Sequence, residues 1–107
     1  MLKSIENKAD HKMRYNFVNG YTLSVIWDSG AYGSNHGHMF VKPIEAATQV
    51  EIAVFGVDGK LTPIDFTVDD VTGLPCLELN TENCSDTIAP WVDVKYLPFL
   101  LEMVGSL

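Results

Sequence analysis

The residues of this 107-residue chain that could do chemistry are few and scattered. His36 and His38 stand two apart, so on an extended backbone they share one face, with Asp28 shortly before them. A metal site would need a third ligand from Asp28, His11 or a cysteine, and a glycine-rich stretch holds such ligands loosely. Asp65, Asp69 and Asp70 make a carboxylate cluster. Paired acids can transfer protons, although acids in turns more often cap backbone amides. Cys76 has no nucleophile signature around it, and the glycines of 30–37 do not open a helix, so no phosphate cradle is read there. These residues supply no catalytic set and no cofactor motif. The enzymatic alternative is a small metal-dependent activity on His36 and His38.

Aromatic residues are the more distinctive set. Tyr15, Phe17, Tyr21, Trp27 and Tyr32 crowd the first third of the chain. Most read as core or cross-strand pairs. Tyr32 sits among small polar residues, where an aromatic serves equally as core or as a partner anchor.

The elements that must position these residues follow from periodicity. Residues 1–13 are polar and read as a flexible or short helical leader. Tyr15, Phe17, Tyr21, Leu23, Val25 and Trp27 fall on odd positions, the period of a half-buried strand. Asn19-Gly20 interrupts them and favours a type I′ hairpin turn, with positive φ at both residues, over one long strand bulged at Gly20. Residues 28–38 have the composition of a mobile loop. Val50, Ile52 and Val54 mark a clear strand, Asp58-Gly59 a second hairpin, and Ile64, Phe66 and Val68 a strand interrupted near Pro63. Residues 14–70 are therefore expected as sheet and 71–89 as an irregular excursion, with a short strand at 76–79. Residues 90–105 are expected as helical, with a stripe of Val94, Leu97, Leu101 and Val104. Pro98 places the helix start at or just before itself, and Gly105 ends it. The fold class is α+β: one domain with a small antiparallel sheet of hairpins packed against a C-terminal helix.

Composition bounds the function. The chain is 47% hydrophobic and 20% charged, ordinary for a packed globule. Fourteen acidic against seven basic residues leave a net charge of −7, which argues against direct nucleic-acid binding and for a partner with a basic surface. No apolar run approaches a membrane span, and residues 1–14 lack a signal-peptide core, so a cytoplasmic address is expected, with Cys76 and Cys84 reduced. The C-terminal segment, with Trp91, Tyr96, Phe99, Leu100 and Met103, is apolar nearly all round. It packs within the monomer or forms a homodimer or partner interface.

The pattern Tyr15-x-Phe17-x-Asn19-Gly20-Tyr21-x-x-Ser24-Val25-Ile26, followed by Tyr32-Gly33, Glu51-Ile52-Ala53-Val54, Asp58-Gly59 and Asp70-Val71-x-Gly73, resembles small uncharacterised accessory proteins common in tailed-phage genomes. The likeness covers residues 15–73. It departs after that, where an insertion at 74–89 and an apolar segment replace that group's glutamate-rich helix. No catalytic residue attaches to the group. The resemblance implies a non-enzymatic protein of the host cytoplasm that binds a host protein, an inhibitor of a bacterial defence system in the manner of anti-CRISPR proteins. The alternative is a self-assembling structural or interaction protein of the phage. The partner-binding residues expected on this reading are Tyr32, Asp28, Asp69, Asp70, Trp91 and Phe99.

Overall fold

The computed structural model describes residues 1–44 and 46–107. Five strands run β1 Leu2–Ala9, β2 Lys12–Phe17, β3 Thr22–Ile26, β4 Gln49–Phe55 and β5 Leu61–Thr62, followed by β6 Ile64–Val68, β7 Pro75–Leu79 and β8 Ile88–Asp93. A single 3-10 turn, Val94–Tyr96, leads into the helix α1, Leu97–Gly105. Strands β1 to β5 pair in chain order, and β8 also pairs with β4, so the edge of β4 is shared by β5 and β8. Strands β6 and β7 form a separate two-stranded sheet. Every pairing is antiparallel. The architecture is the α+β one expected from periodicity.

Alternation decides which face of the large sheet is core. Leu23 opposes Val54, Val25 opposes Ile52, and Val50 opposes Val92. All six are essentially fully buried. Opposed residues share a face, so this apolar set lines one side of the sheet. Leu100 and Val104 of α1 and Ile64 and Leu77 of the small sheet join the same core. The other side carries Ser4, Glu6, Arg14, Asn16, Thr22, Ser24 and Phe55 in register, with the Arg14 guanidinium 4.4 Å over the Phe55 ring.

Four expectations need correction. Residues 1–13 are no leader: Leu2–Ala9 is a strand paired along its length with β2, and every one of its residues is exposed. With no side buried it carries no hydrophobic alternation, and it is held by the backbone ladder. Asn16 Nδ2 adds cross-strand bonds to Glu6 Oε1 at 2.7 Å and Ser4 Oγ at 3.1 Å. That Asn16 contact and the Lys8 ammonium hold the Glu6 carboxyl below its ordinary value. The turn at Asn19-Gly20 is not type I′, because only Gly20 has positive φ, at 92°. Phe17 N donates to Tyr21 O and Gly20 N to Phe17 O, the pattern of a three-residue loop ending in a bulge. Asn19 is held away from the left-handed region by its own side chain. Its Nδ2 donates to Val104 O at 2.9 Å and Leu107 O at 3.1 Å, while its Oδ1 accepts from Tyr21 N. One amide thus ties the β2–β3 hairpin to the C-terminal end of α1 and the residue after its cap.

The short strand expected at 76–79 is β7, and the rest of the 71–89 excursion runs into the start of β8. Residues 90–93 are strand rather than helix, since β4 offers them an edge to pair with. The helix begins at Leu97, immediately before Pro98, as the proline requires. Its buried line is Leu100 and Val104, whereas Val94, Leu97 and Leu101 are only half-buried. Gly105 is the last helical residue and Ser106 the cap. No helix of the described residues is long and apolar enough to cross a membrane.

Candidate functional site

The loop between β3 and β4 carries most of the site, and its composition misleads. Far from a free connection, it is pinned at two points. Asn35 is buried and donates through Nδ2 to Trp27 O at 2.7 Å and Lys42 O at 3.1 Å, while its Oδ1 accepts from Lys42 N. Ser34 Oγ donates to Gln49 O and accepts from the amides of Thr48 and Gln49. Gly33 runs so close to β4 that an added Cβ would lie 2.6 Å from Gln49 O. Asp28 starts the loop by taking the amides of Gly30 and Ala31 on Oδ1, a local turn that an aspartate favours.

Onto this loop the pairing of β8 brings Trp91. Between the pairs Val50–Val92 and Ile52–Ala89, β8 holds one more residue than β4. The bulge falls at Pro90-Trp91, since a proline has no amide to give the ladder. Trp91 therefore takes φ +56, a conformation rare for a bulky side chain. Its amide leaves the ladder and donates to Tyr32 O at 2.8 Å.

The result is a cluster of three rings. Tyr32 stacks on His36 with centroids 4.9 Å apart and planes 28° apart. Trp91 meets His36 edge-on at 5.9 Å and Tyr32 at 6.4 Å. His36 Nδ1 lies 3.1 Å from Ala31 O, which fixes the ring's orientation. Tyr32 and Trp91 each keep 48% of their surface exposed, so the cluster faces solvent rather than core. One carboxylate touches it through the Tyr32 backbone. Glu51 Oε2 accepts the Tyr32 amide at 2.9 Å. Glu51 and Asp28 also line a depression of about 280 Å³ with Lys12, Ile26, Gly30 and Ala31. The Lys12 ammonium stands 3.8 Å from Asp28 Oδ2.

Of the residues expected to contact a partner, Tyr32 and Trp91 come together here, and Asp28 caps the start of the same loop and lines the depression that Glu51 shares. Asp69 and Asp70 lie at the tip of the β6–β7 hairpin, and Phe99 lies on α1 beside Glu102, Met103 and Ser106. No bond, ion pair or ring contact among the described residues joins them to the cluster. His36 and Glu51 were missed as members. His36 was legible only as a ligand, and Glu51 only as the polar half of a strand alternation. Among the described residues no three histidine, cysteine or acidic side chains gather as a metal set, and His38 is exposed. Cys76 and Cys84 are free thiols, with Cys84 Sγ donating to Glu78 O at 3.4 Å.

Asp69 has a different role. It accepts the amides of Val71 and Thr72 at 2.8 and 2.9 Å, and these bonds, Thr72's foremost, hold its carboxyl below the ordinary 3.8. Its contribution to the hairpin is complete above that value and is lost as pH falls through the lowered one. The β6–β7 tip is expected to lose amide protection on acidification below pH 3.8, and Asp69→Asn to weaken that pH response. Hydrogen exchange at Val71 and Thr72 measures both; equal pH responses in the two proteins would contradict the assignment.

The backbone at Trp91 has its own measurable consequence. Trp91→Ala and Trp91→Gly both remove the ring, but only alanine keeps a Cβ at positive φ. Glycine inside a strand is ordinarily the less stable by roughly 0.5–1 kcal/mol. Here the order should reverse, because the left-handed backbone costs an L-residue roughly 1–2 kcal/mol. Urea unfolding of the two variants reads this, and a less stable glycine variant would show the position to be unstrained.

A scan of protein-family models finds no match to this chain, and searches of curated proteins and of solved structures find none either.

Proposed function

We propose that this chain is a non-enzymatic accessory protein of phage type that binds a host protein, most specifically an inhibitor of a bacterial defence system. The observation that carries the reading is Trp91, kept half-exposed at a backbone angle of +56° in a solvent-facing ring cluster. Backbone strain of this kind collects at functional positions, and exposed tryptophan and tyrosine dominate protein-contact energetics. Charge supports a basic target. Residues 1–14 hold four of the seven basic residues and two of the fourteen acidic ones, so the remainder of the chain carries −9. The phage assignment and the host cytoplasm as the place of action rest on the likeness of residues 15–73 to tailed-phage proteins.

The test is capture from bacterial lysate on the tagged chain at low and moderate salt, read by mass spectrometry and followed by assay of any captured nuclease. A defence nuclease or its complex is expected, inhibited by the chain and released as salt rises. A hot-spot aromatic is worth about 2 kcal/mol or more, so Trp91→Gly should weaken binding by about thirtyfold. Recovery of the chain alone, at twice its mass by light scattering, would replace this reading with self-assembly.

A further inference from the structure

We infer that the ring cluster, with Glu51 beside Tyr32 and Asp28 in the adjoining depression, forms a recognition site for an arginine side chain of the partner; the inference rests on the protein-binding reading above. Three features of the site select this chemistry over other contacts. The rings of Tyr32 and Trp91 are exposed and adjacent, and aromatic faces attract a cation laid over them. Glu51 is anchored by a single oxygen: Oε2 holds the Tyr32 amide, while Oε1 has no hydrogen bond among the described residues. That oxygen can accept a donor placed beside Tyr32. Asp28 adds a second carboxylate in the same depression, where the Lys12 ammonium stands at 3.8 Å with its side chain 46% exposed. By formal charge, Asp28, Glu51 and Lys12 give the pocket −1, with the chain's own cation at one end.

A guanidinium fits this arrangement better than an ammonium. It is planar, so it stacks on a ring while its edge donates to a carboxylate, and it sheds water more readily than a lysine head. A neutral ligand would use the rings alone and leave the carboxylates without a partner. A phosphate or acidic peptide would meet Asp28 and Glu51 directly. The backbone that carries the rings is preorganised in the free chain: the Trp91 main chain by its bulge and the Tyr32 main chain by Glu51 and Trp91, while the His36 ring is held by Ala31 O. Little ordering remains to be done on binding.

The experiment titrates the full isotope-labelled chain with three blocked peptides that differ in one side chain: arginine, lysine or citrulline. It follows the Trp91 indole N–H and the Tyr32 amide by NMR. Both signals should move with the arginine peptide, which binds about threefold to tenfold tighter than the lysine peptide. Citrulline keeps the plane and loses the charge, and should bind more weakly than either. Glu51→Gln keeps an oxygen for the Tyr32 amide, so the loop stays folded, yet it should abolish the preference for arginine. Lys12→Met removes the internal cation and should tighten arginine binding. Equal affinities for arginine and lysine, or for arginine and citrulline, would overturn the inference, as would shifts confined to other parts of the chain. If no peptide moves Trp91 while capture of a host protein still depends on it, the arginine site falls and the protein-binding reading stands. If a host protein is captured equally well without the Trp91 ring, the arginine site falls and the binding surface lies elsewhere; if no host protein is captured, both fall.

Discussion

Leu100→Ala is expected to lower the unfolding free energy by about 2–5 kcal/mol, the range for truncating a large aliphatic side chain in a close-packed core. Leu100 has no exposed surface and lies among the fully buried side chains of the central cluster. Its effect is large because α1 fully buries so little else. A nine-residue helix is not stable alone in water, and this one buries only Leu100 and Val104. Through them it packs on β2, β3 and β7 and links the large sheet to the β6–β7 hairpin. A domain of this size has roughly 5–15 kcal/mol in total, so the variant stands close to the unfolding threshold. The same change at Leu101, which is half-buried, should cost clearly less. Urea denaturation of both variants checks the pair, and equal losses would show that Leu100 does not anchor the helix.

Gly33→Ala should be nearly as damaging, with its effect concentrated at the site. The added Cβ would lie 2.6 Å from Gln49 O and 3.1 Å from both Gln49 C and Val50 Cα. All three are backbone atoms of β4, which cannot turn aside as a side chain could, so the loop must lift. Overpacking of this kind costs typically 1–3 kcal/mol. Lifting the loop also loosens Ser34 N from Gln49 O and the Tyr32 amide from Glu51, and Trp91 loses the carbonyl its amide donates to. Partner capture should therefore fall together with stability. Gly37 is the control, because it sits in the same loop with no heavy atom within 4 Å of an added Cβ. There alanine is opposed only by the backbone angle of +74°, a cost of roughly 1–2 kcal/mol. Thermal unfolding and the Trp91 indole signal separate the two. A Gly33→Ala protein with an unmoved indole would show that the loop's contact with β4 does not position the rings.

What could be read from residue order was whatever imposes a local period or a local backbone constraint. Val50, Ile52 and Val54 and the odd-numbered residues from Tyr15 to Trp27 alternate because one side of each strand is buried. That burial writes itself into the residue types. Pro63 separates β5 from β6, and Pro98 stands at the start of α1, because a missing amide constrains the chain wherever it occurs. Asp28, Tyr32 and Trp91 could each be picked out as acid or aromatic residues in exposed settings, but not as neighbours.

What only the tertiary structure decided is everything that depends on a partner distant in the chain. Strand β1 is strand because β2 offers it a ladder, and with no buried side it leaves no pattern in its residues. Residues 90–93 pair with β4 instead of starting the helix, since the free edge of β4 outweighs their local preference. Asn19 abandons the type I′ turn for the carbonyls of Val104 and Leu107, more than eighty positions away. The ring cluster needs all of these at once: a bulge set by register against β4, a loop pinned by Asn35 and Ser34, and a glutamate on the neighbouring strand. Local sequence specifies what each segment prefers when alone. The site exists because long-range pairing overrules one of those preferences, at Trp91, and turns a strand residue outward.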